Sequence, residues 1–468
     1  MSDTNRATPR TEPEGQRLTS LDALRGFDMF WILGADSFVY AIHEMGKNPV
    51  TKFFAEQVDH AEWAGFRFYD LIFPLFVFIM GVSTVFSLTK IIEREGRAAA
   101  VKRVLKRGVL LFIVALIYSG GFTNPWPDMR LMGVLNRIAI CYTFGGLLFI
   151  FCNVRVMMAA AVVLLLGYWA LMAQVPFPDV RPVPGGDAVI TKEAGFKSVD
   201  QLNMNSTVMI HGSYVQGVTL ANYLDQKYLP GRKYDGTYDP EGILSTMPAL
   251  VTGLLGIFTG LFLRKQASET NMNPIFAGAA IGFFMFFHSW VIYKSGLVIM
   301  AVFVALAGLF LAGISYWLLL PKKQIEANKA GNLIVAGMML ALLGWIWNIE
   351  FPVIKKLWTS SYVLVAGGYS AMLLGLFYWI VDVKKWQAWC QPFIWIGMNP
   401  ITLYLTSNFL GGLGFEKLAR RLTGGPVKEF FDTHVTAGFG ELVSSFVGVL
   451  LFVWFARFLY QRKIFLRL

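Results

Sequence analysis

Charge is scarce in this chain: 15% of its 468 residues are Asp, Glu, Lys or Arg, against 55% that are hydrophobic. A water-soluble domain carries about 25% charged residues, so composition excludes an ordinary soluble fold. Cysteine is scarcer still. Cys141, Cys152 and Cys390 are odd in number and lie in or beside apolar segments, so neither a disulfide framework nor a thiolate metal site is indicated. The five histidines include no two at metal-binding spacing beside carboxylates, and no metal is expected. A Gly-rich phosphate loop and a Gly-x-Ser-x-Gly elbow are both missing. No internal repeat is visible, which argues only weakly against a secondary transporter because such repeats diverge.

What the chain has instead is a succession of apolar runs. They predict an all-α, polytopic membrane protein of about twelve membrane-spanning helices. The runs centre near Met29, Phe76, Val114, Tyr142, Leu164, Leu254, Gly282, Gly308, Met338, Met372, Ile401 and Leu451. Residues 1–17 read as a polar cytoplasmic tail, and the run after them lacks a small-residue cleavage site, so a retained first helix is expected. The net charge of +11 reflects basic helix ends rather than a nucleic-acid partner. Its densest cluster is Lys90, Arg94, Arg97, Lys102, Arg103, Lys106 and Arg107. The positive-inside bias then puts both termini in the cytoplasm. On that topology His60 faces the outside, as does the long loop over residues 176–241, rich in Pro, Gly, Asp, Asn and Tyr. Long loops on membrane scaffolds are often functional, and this composition suits either a sugar-like ligand or a ligand-free cap.

His60 is the most informative single residue. It lies in Asp59-His60-Ala61-Glu62-Trp63, just before Asp70 and the apolar run from Leu71. That places a group able to exchange protons near neutral pH at the mouth of a helix, beside carboxylates and a Trp. Charged residues inside spans need a reason, since each costs about 2.5–3.5 kcal/mol on insertion scales. In the first span Asp22, Arg25 and Asp36 fall within about 60° of one another on an uninterrupted helix, with Arg25 and Asp36 about 16 Å apart. This predicts either a polar passage or a local Asp22–Arg25 anchor. Asp28 points elsewhere. Asn136 and Arg137 stand inside the fourth run; with Arg25 and Arg107 they predict a basic pocket open to the cytoplasm and suited to phosphate. His288, in an apolar setting, reads as an interior hydrogen-bonded residue. Asn399-Pro400 interrupts the eleventh span, where freed backbone groups either meet a ligand or kink the helix.

Several segments then resemble one family. Ser20-Leu21-Asp22-Ala23-Leu24-Arg25-Gly26, His60-Ala61-Glu62-Trp63-Ala64-Gly65 and Asp70-Leu71-Ile72-Phe73-Pro74 are similar to the transmembrane heparan-α-glucosaminide N-acetyltransferase family. So are Gly133-Val134-Leu135-Asn136-Arg137, Tyr238-Asp239-Pro240-Glu241-Gly242, Lys356-Leu357-Trp358-Thr359-Ser360-Ser361-Tyr362 and Gly397-Met398-Asn399-Pro400. The resemblance runs in order over most of residues 18–460.

It implies an acetyl-CoA-dependent amino-sugar N-acetyltransferase of a bacterial inner membrane, with residues 18–468 as one transmembrane acyltransferase domain. The scaffold would be a family core of about ten helices plus an extra pair near 275–320. The donor is cytoplasmic acetyl-CoA; the acceptor is glucosamine or a glucosamine-terminated saccharide on the far side, and the open partner question is a homodimer. The family's functional His falls on His60, and an Asn it uses nearby falls on Asp36, where a carboxylate cannot donate an amide N–H. Trp63, Glu62, Asp70, Asp239, Glu241 and Asn399 are the expected acceptor residues, and Arg25, Arg107, Asn136 and Arg137 the expected donor residues. His60 would act as general base in direct transfer, or as a nucleophile carrying the acetyl group. The rival readings are a proton-coupled sugar permease using Asp22, Asp36, Asp70 and His60, and an O-acyltransferase acting on an envelope glycan or lipid headgroup.

Overall fold

In the computed structural model, residues 18–123, 125, 128–264, 288–289, 302, 306, 325–409 and 414–466 are described. The first helix of the array is interrupted. Helix α1 (Thr19–Phe30) passes through a π-helical turn at Trp31–Ala35 into α2 (Asp36–Met45), with Gly34 at φ 110°. A side chain is strained at that angle, so glycine permits the break. Asn48 then caps α3 (Pro49–Gln57) by accepting from the amides of Val50 and Thr51, with Pro at the start where no amide is needed.

Helix α4 (Ile72–Tyr118) is 47 residues long, about 70 Å if straight and so more than twice a bilayer core. It is not straight. Gly96 sits at φ 84°, ψ 174°, and the chain doubles back there. A β-carbon at Gly146 would touch Val104 at 3.0 Å and Leu88 at 3.6 Å, residues that lie far apart along a straight helix. The second and third apolar runs are therefore the two arms of one hairpin.

Helices α5 (Val134–Phe151), α6 (Val154–Gln174), α8 (Thr246–Arg264), α9 (Ile325–Trp347), α10 (Ser360–Phe377), α11 (Gln391–Gly397), α12 (Pro400–Phe409) and α15 (Phe439–Gln461) complete the array; the short α13 (Gly414–Thr423) and α14 (Pro426–His434) precede the last helix. Seven helices among the described residues are long and apolar enough to cross a membrane, one of them the folded α4. The protein is all-α in its membrane part. The runs predicted around Gly282 and Gly308, like the tail 1–17, lie outside the described residues, apart from His288, Ser289, Val302 and Leu306. His288 Nε2 bonds the Tyr369 hydroxyl, as expected of an interior histidine.

Small residues set the spacing of the central helices. A β-carbon at Gly81 would fall 2.1 Å from the Gly253 carbonyl, and one at Gly256 2.0 Å from that of Phe78, so α4 and α8 meet backbone to backbone.

The long loop folds into an ordered cap. Strand β1 (Phe177–Pro178) pairs antiparallel with β2 (Met209–Ile210), and α7 (Leu220–Tyr228) follows, its first amides capped by Thr219. Tyr168 and Met172 at the end of α6 pack with Phe177, Val180, Ile190 and Val218 of the cap, and with Phe351, Ile354 and Leu357 of the turn between α9 and α10. Asp225 on α7 is buried and accepts from the amide of Ile243 at 2.9 Å. Burial pushes its carboxyl up to about 7.

A carboxyl whose folded pKa is raised favours the folded state only while it is protonated. The cap therefore loses stability as pH rises from the ordinary carboxyl range to about 7, and stays at the lower value above it. Asp225→Asn keeps the acceptor and removes the charge. The melting temperature of the detergent-solubilised variant is expected to match wild type near pH 4 and to exceed it at pH 8.

Candidate active site

The site is built around a loop that cannot be helical. Gly65 has φ 125°, and its amide donates to the Val353 carbonyl at 2.8 Å, tying the loop to the α9–α10 turn. The chain then enters a 3-10 turn at Phe68–Leu71, which Asp70 closes by accepting from the Arg67 amide at 3.0 Å. The Asp70 side chain is 0% exposed. Besides that amide it accepts from the Ala61 amide at 3.2 Å and faces His60 Nδ1 at 3.0 Å. A carboxylate only accepts, so Nδ1 carries the proton and Nε2 keeps the lone pair. The imidazole is half-exposed, its ring 5.0 Å from that of Tyr69. Lys355 Nζ reaches both ring nitrogens at 2.9 Å and lies 3.7 Å from Asp70 Oδ1. Burial lowers the Lys355 amine to about 8.

The cap supplies the facing wall. Trp63 Nε1 donates to the Tyr214 carbonyl at 2.7 Å, and its ring meets Tyr238 edge-on. Arg130 holds Asp239 with two bonds of 2.8 and 2.7 Å, donates to Glu241 at 2.7 Å and lies over the Tyr234 ring. Asp239 also accepts from the amides of Tyr234 and Glu241, which accounts for the Asp-Pro-Glu-Gly segment as a folded unit. Gly242 is required there: a β-carbon would fall 1.8 Å from Asp225 Oδ2. Lys356 pairs with Asp235 at 3.0 Å. Burial and the neighbouring Asp239 hold the Glu241 carboxyl above its ordinary value.

Between these walls lies a cavity of about 490 Å³. His60, Trp63, Arg130, Tyr234, Glu241, Lys355 and Lys356 form its polar rim, whereas Met29, Phe76, Ile138, Ile401 and Tyr404 line its depth. Tyr404 stacks on Tyr118 at 4.7 Å. A polar mouth over an apolar shaft suits a ligand with a polar head and a long, weakly polar arm.

The expected catalytic His60 and three of the expected acceptor residues meet here: Trp63 and Glu241 line the cavity with His60, and Asp70 lies behind the imidazole. Asp239 is one step back, through Arg130. Glu62 is exposed and off the cavity. Asn399 is buried beside Pro400, which lines the cavity, and neither of its side-chain polar atoms has a hydrogen-bond partner among the described residues. Asp36 does not line the cavity, although it acts electrostatically on Tyr69, which does.

Each of the expected donor residues Arg25, Arg107 and Arg137 has partners of its own. Arg25 donates to Asp22, the Gly397 carbonyl and Ser83; Arg107 stands over the Tyr142 ring. Arg137 lies in the first turn of α5, close to the cap: it donates to the Pro240 carbonyl and Ser245 and stacks on Trp358. Asn136 precedes it there, its side-chain polar atoms unpartnered among the described residues. The local Asp22–Arg25 pair is formed, at 3.1 Å, whereas the extension of the polar stripe to Asp36 does not follow. Its periodicity assumed one continuous helix, and the π-turn at Trp31–Ala35 interrupts it, while the cavity's depth is apolar. Sequence reasoning missed Arg130 and gave Lys355 no role. The available signal was a cation on the side of the membrane where such residues are few.

Comparison with known proteins supports the resemblance seen in the sequence. Residues 17–189 match the family described as heparan-alpha-glucosaminide N-acetyltransferase, catalytic, a stretch that contains His60, Trp63, Asp70 and Arg130. Heparan-alpha-glucosaminide N-acetyltransferase of Mus musculus is 25% identical over 489 residues, covering 97% of this chain. The Homo sapiens protein of that name is 25% identical over 496 residues, covering 99%. The chain spans 62% of the length of each relative.

Arg130→Met leaves Asp239 and Glu241 buried without their cation. Breaking a buried ion pair from one side costs about 3–5 kcal/mol. The variant is expected to unfold at lower temperature and to expose the cap to limited proteolysis, checked by peptide mapping of fragments cut within residues 176–245.

Proposed function

We propose, from the likeness of residues 17–189 to the catalytic region of the heparan-alpha-glucosaminide N-acetyltransferases, that this chain is a membrane acetyltransferase. In this reading it moves the acetyl group of cytoplasmic acetyl-CoA to the amine of glucosamine, or of a saccharide ending in it, on the extracytoplasmic face of a bacterial inner membrane. The observation that carries the reading is His60, oriented by Asp70, at the polar rim of a cavity whose depth is apolar.

The chemistry follows from the geometry. An ammonium has no lone pair, so the acceptor must lose a proton before it can attack a thioester. With Nδ1–H directed at Asp70, Nε2 takes that proton as general base. The amine forms the new C–N bond at the acetyl carbon, the C–S bond breaks, and the proton on Nε2 passes to the departing sulfur; the second proton leaves the nitrogen to solvent, so that ammonium and thioester give amide, thiol and one released proton. Asp70 remains ionised and stabilises the transient imidazolium. Glu241 and Trp63 on the rim are placed to hold the sugar, one by hydrogen bonding and the other by its ring face. The apolar depth accepts the pantetheine arm, which brings the thioester to the rim without a covalent relay. Arg25 and Arg107 are the candidates for the nucleotide end; Arg137, committed to the cap, is not one.

Purified protein given labelled acetyl-CoA and glucosamine is expected to form labelled N-acetylglucosamine. His60→Ala should lower kcat by about 10²–10⁴-fold, the usual worth of a positioned base. Uptake of intact sugar by proteoliposomes without acetyl-CoA, and no labelled product at any pH, would instead favour the permease. Label bound to His60 after acetyl-CoA alone would replace the base by a nucleophile.

A further inference from the structure

The backbone that carries Lys355 is tied to the His60 loop. Ala64 and Ile354 form an isolated antiparallel bridge, and Gly65 N bonds the Val353 carbonyl. The far side of the turn is closed by Thr359, which accepts from the Ile354 amide at 3.1 Å and donates to the Pro352 carbonyl at 2.8 Å. Trp358 ends the 3-10 turn Lys355–Leu357 at φ 51°, an angle that non-glycine residues adopt only where the surroundings hold them there. Two loops from distant parts of the chain are thus stitched together where Lys355 meets His60.

We propose that Lys355 is a positioning residue for His60: its ammonium, 2.9 Å from both ring nitrogens, offsets the Asp70 carboxylate and keeps the imidazole neutral and able to accept a proton. This rests on the reading of His60 as the base. Asp70 alone would favour the imidazolium and leave no lone pair for the acceptor. Lys355 opposes it with a charge of the other sign at comparable distance. Before the acceptor arrives, the Lys355 amine stands 2.9 Å from Nε2; the acceptor's ammonium then takes up the Nε2 lone pair. After transfer, the imidazolium next to the Lys355 cation returns its proton to the departing sulfur more readily. The amine itself neither gains nor loses a proton in the cycle.

The other charged and titratable groups around His60 are few. On its own loop Asp59 accepts from the His60 amide and Arg67 donates to the His60 carbonyl. Tyr69 and Asp70 face it from the 3-10 turn, Lys356 from the α9–α10 turn, and Arg130 and Glu241 from the opposite wall of the cavity. Asp36 acts on Tyr69 from the start of α2. Among the described residues, Asp70 and Lys355 are the charged groups that meet the ring nitrogens.

The test reads His60 without requiring acetyl transfer. Diethyl pyrocarbonate modifies neutral imidazole, so the pH dependence of its attachment to the His60 peptide, followed by mass spectrometry on the full chain, reports the proton on that ring. In Lys355→Met the midpoint is expected to move up by about one pH unit, the lower end of the effect of a close charge. In Lys355→Arg, which keeps the charge, it should stay within a few tenths of wild type. The acid limb of kcat/KM should shift in the same pattern. An unchanged or lowered midpoint in Lys355→Met, or Lys355→Arg following Lys355→Met, would overturn the proposal. A labelling shift in protein that transfers no acetyl group would retain the pairing and reject the assigned reaction. A monodisperse gel-filtration peak for both variants ensures that the comparison is between folded proteins.

Discussion

Asp70 is the constraint on which the rest of the site depends. A carboxylate with 0% exposure is costly to bury unless its oxygens are met by donors or cations. Here the Ala61 and Arg67 amides, the imidazole and the Lys355 amine all converge on it. Its backbone carbonyl accepts from Tyr362 on α10 at 2.7 Å. One residue thereby fixes the start of α4, the shape of the His60 loop, the tautomer of the ring and the approach of the α9–α10 turn.

Around that point the charges sort by depth. At the cap end Arg130, Lys355 and Lys356 are each matched by acidic groups, so the rim is polar yet carries little uncompensated charge. Below it the cavity is walled by apolar side chains. The doubling back of α4 at Gly96 and the glycine contacts between α4 and α8 hold the walls at their spacing.

Much of the membrane part was legible because apolar runs carry their own signal: the runs near Phe76, Val114, Tyr142, Leu164, Leu254, Met338, Met372 and Leu451 all coincide with helices. The juxtaposition of His60, Trp63 and Asp70 was legible in their crowding at a helix mouth. The site was less so wherever a reading needed depth or continuity. The Asp22–Arg25–Asp36 stripe presumed an uninterrupted helix, and a single glycine-permitted π-turn voids that count. Arg137 looked like part of a cytoplasmic phosphate pocket because its position in the apolar run says nothing of where α5 begins. The cap has no period to read: its short strands and turns are organised by Arg130, Asp239 and Asp225, which pair across long stretches of sequence.

The chemistry of the site depends on Asp70 accepting from Nδ1–H of His60, which leaves the Nε2 lone pair to take a proton. The most direct measurement is the ¹⁵N spectrum of histidine-labelled protein in detergent near neutral pH, with His60 assigned by its loss in His60→Gln. The neutral form of the ring is expected to carry its proton on Nδ1. A neutral ring protonated on Nε2 would contradict it.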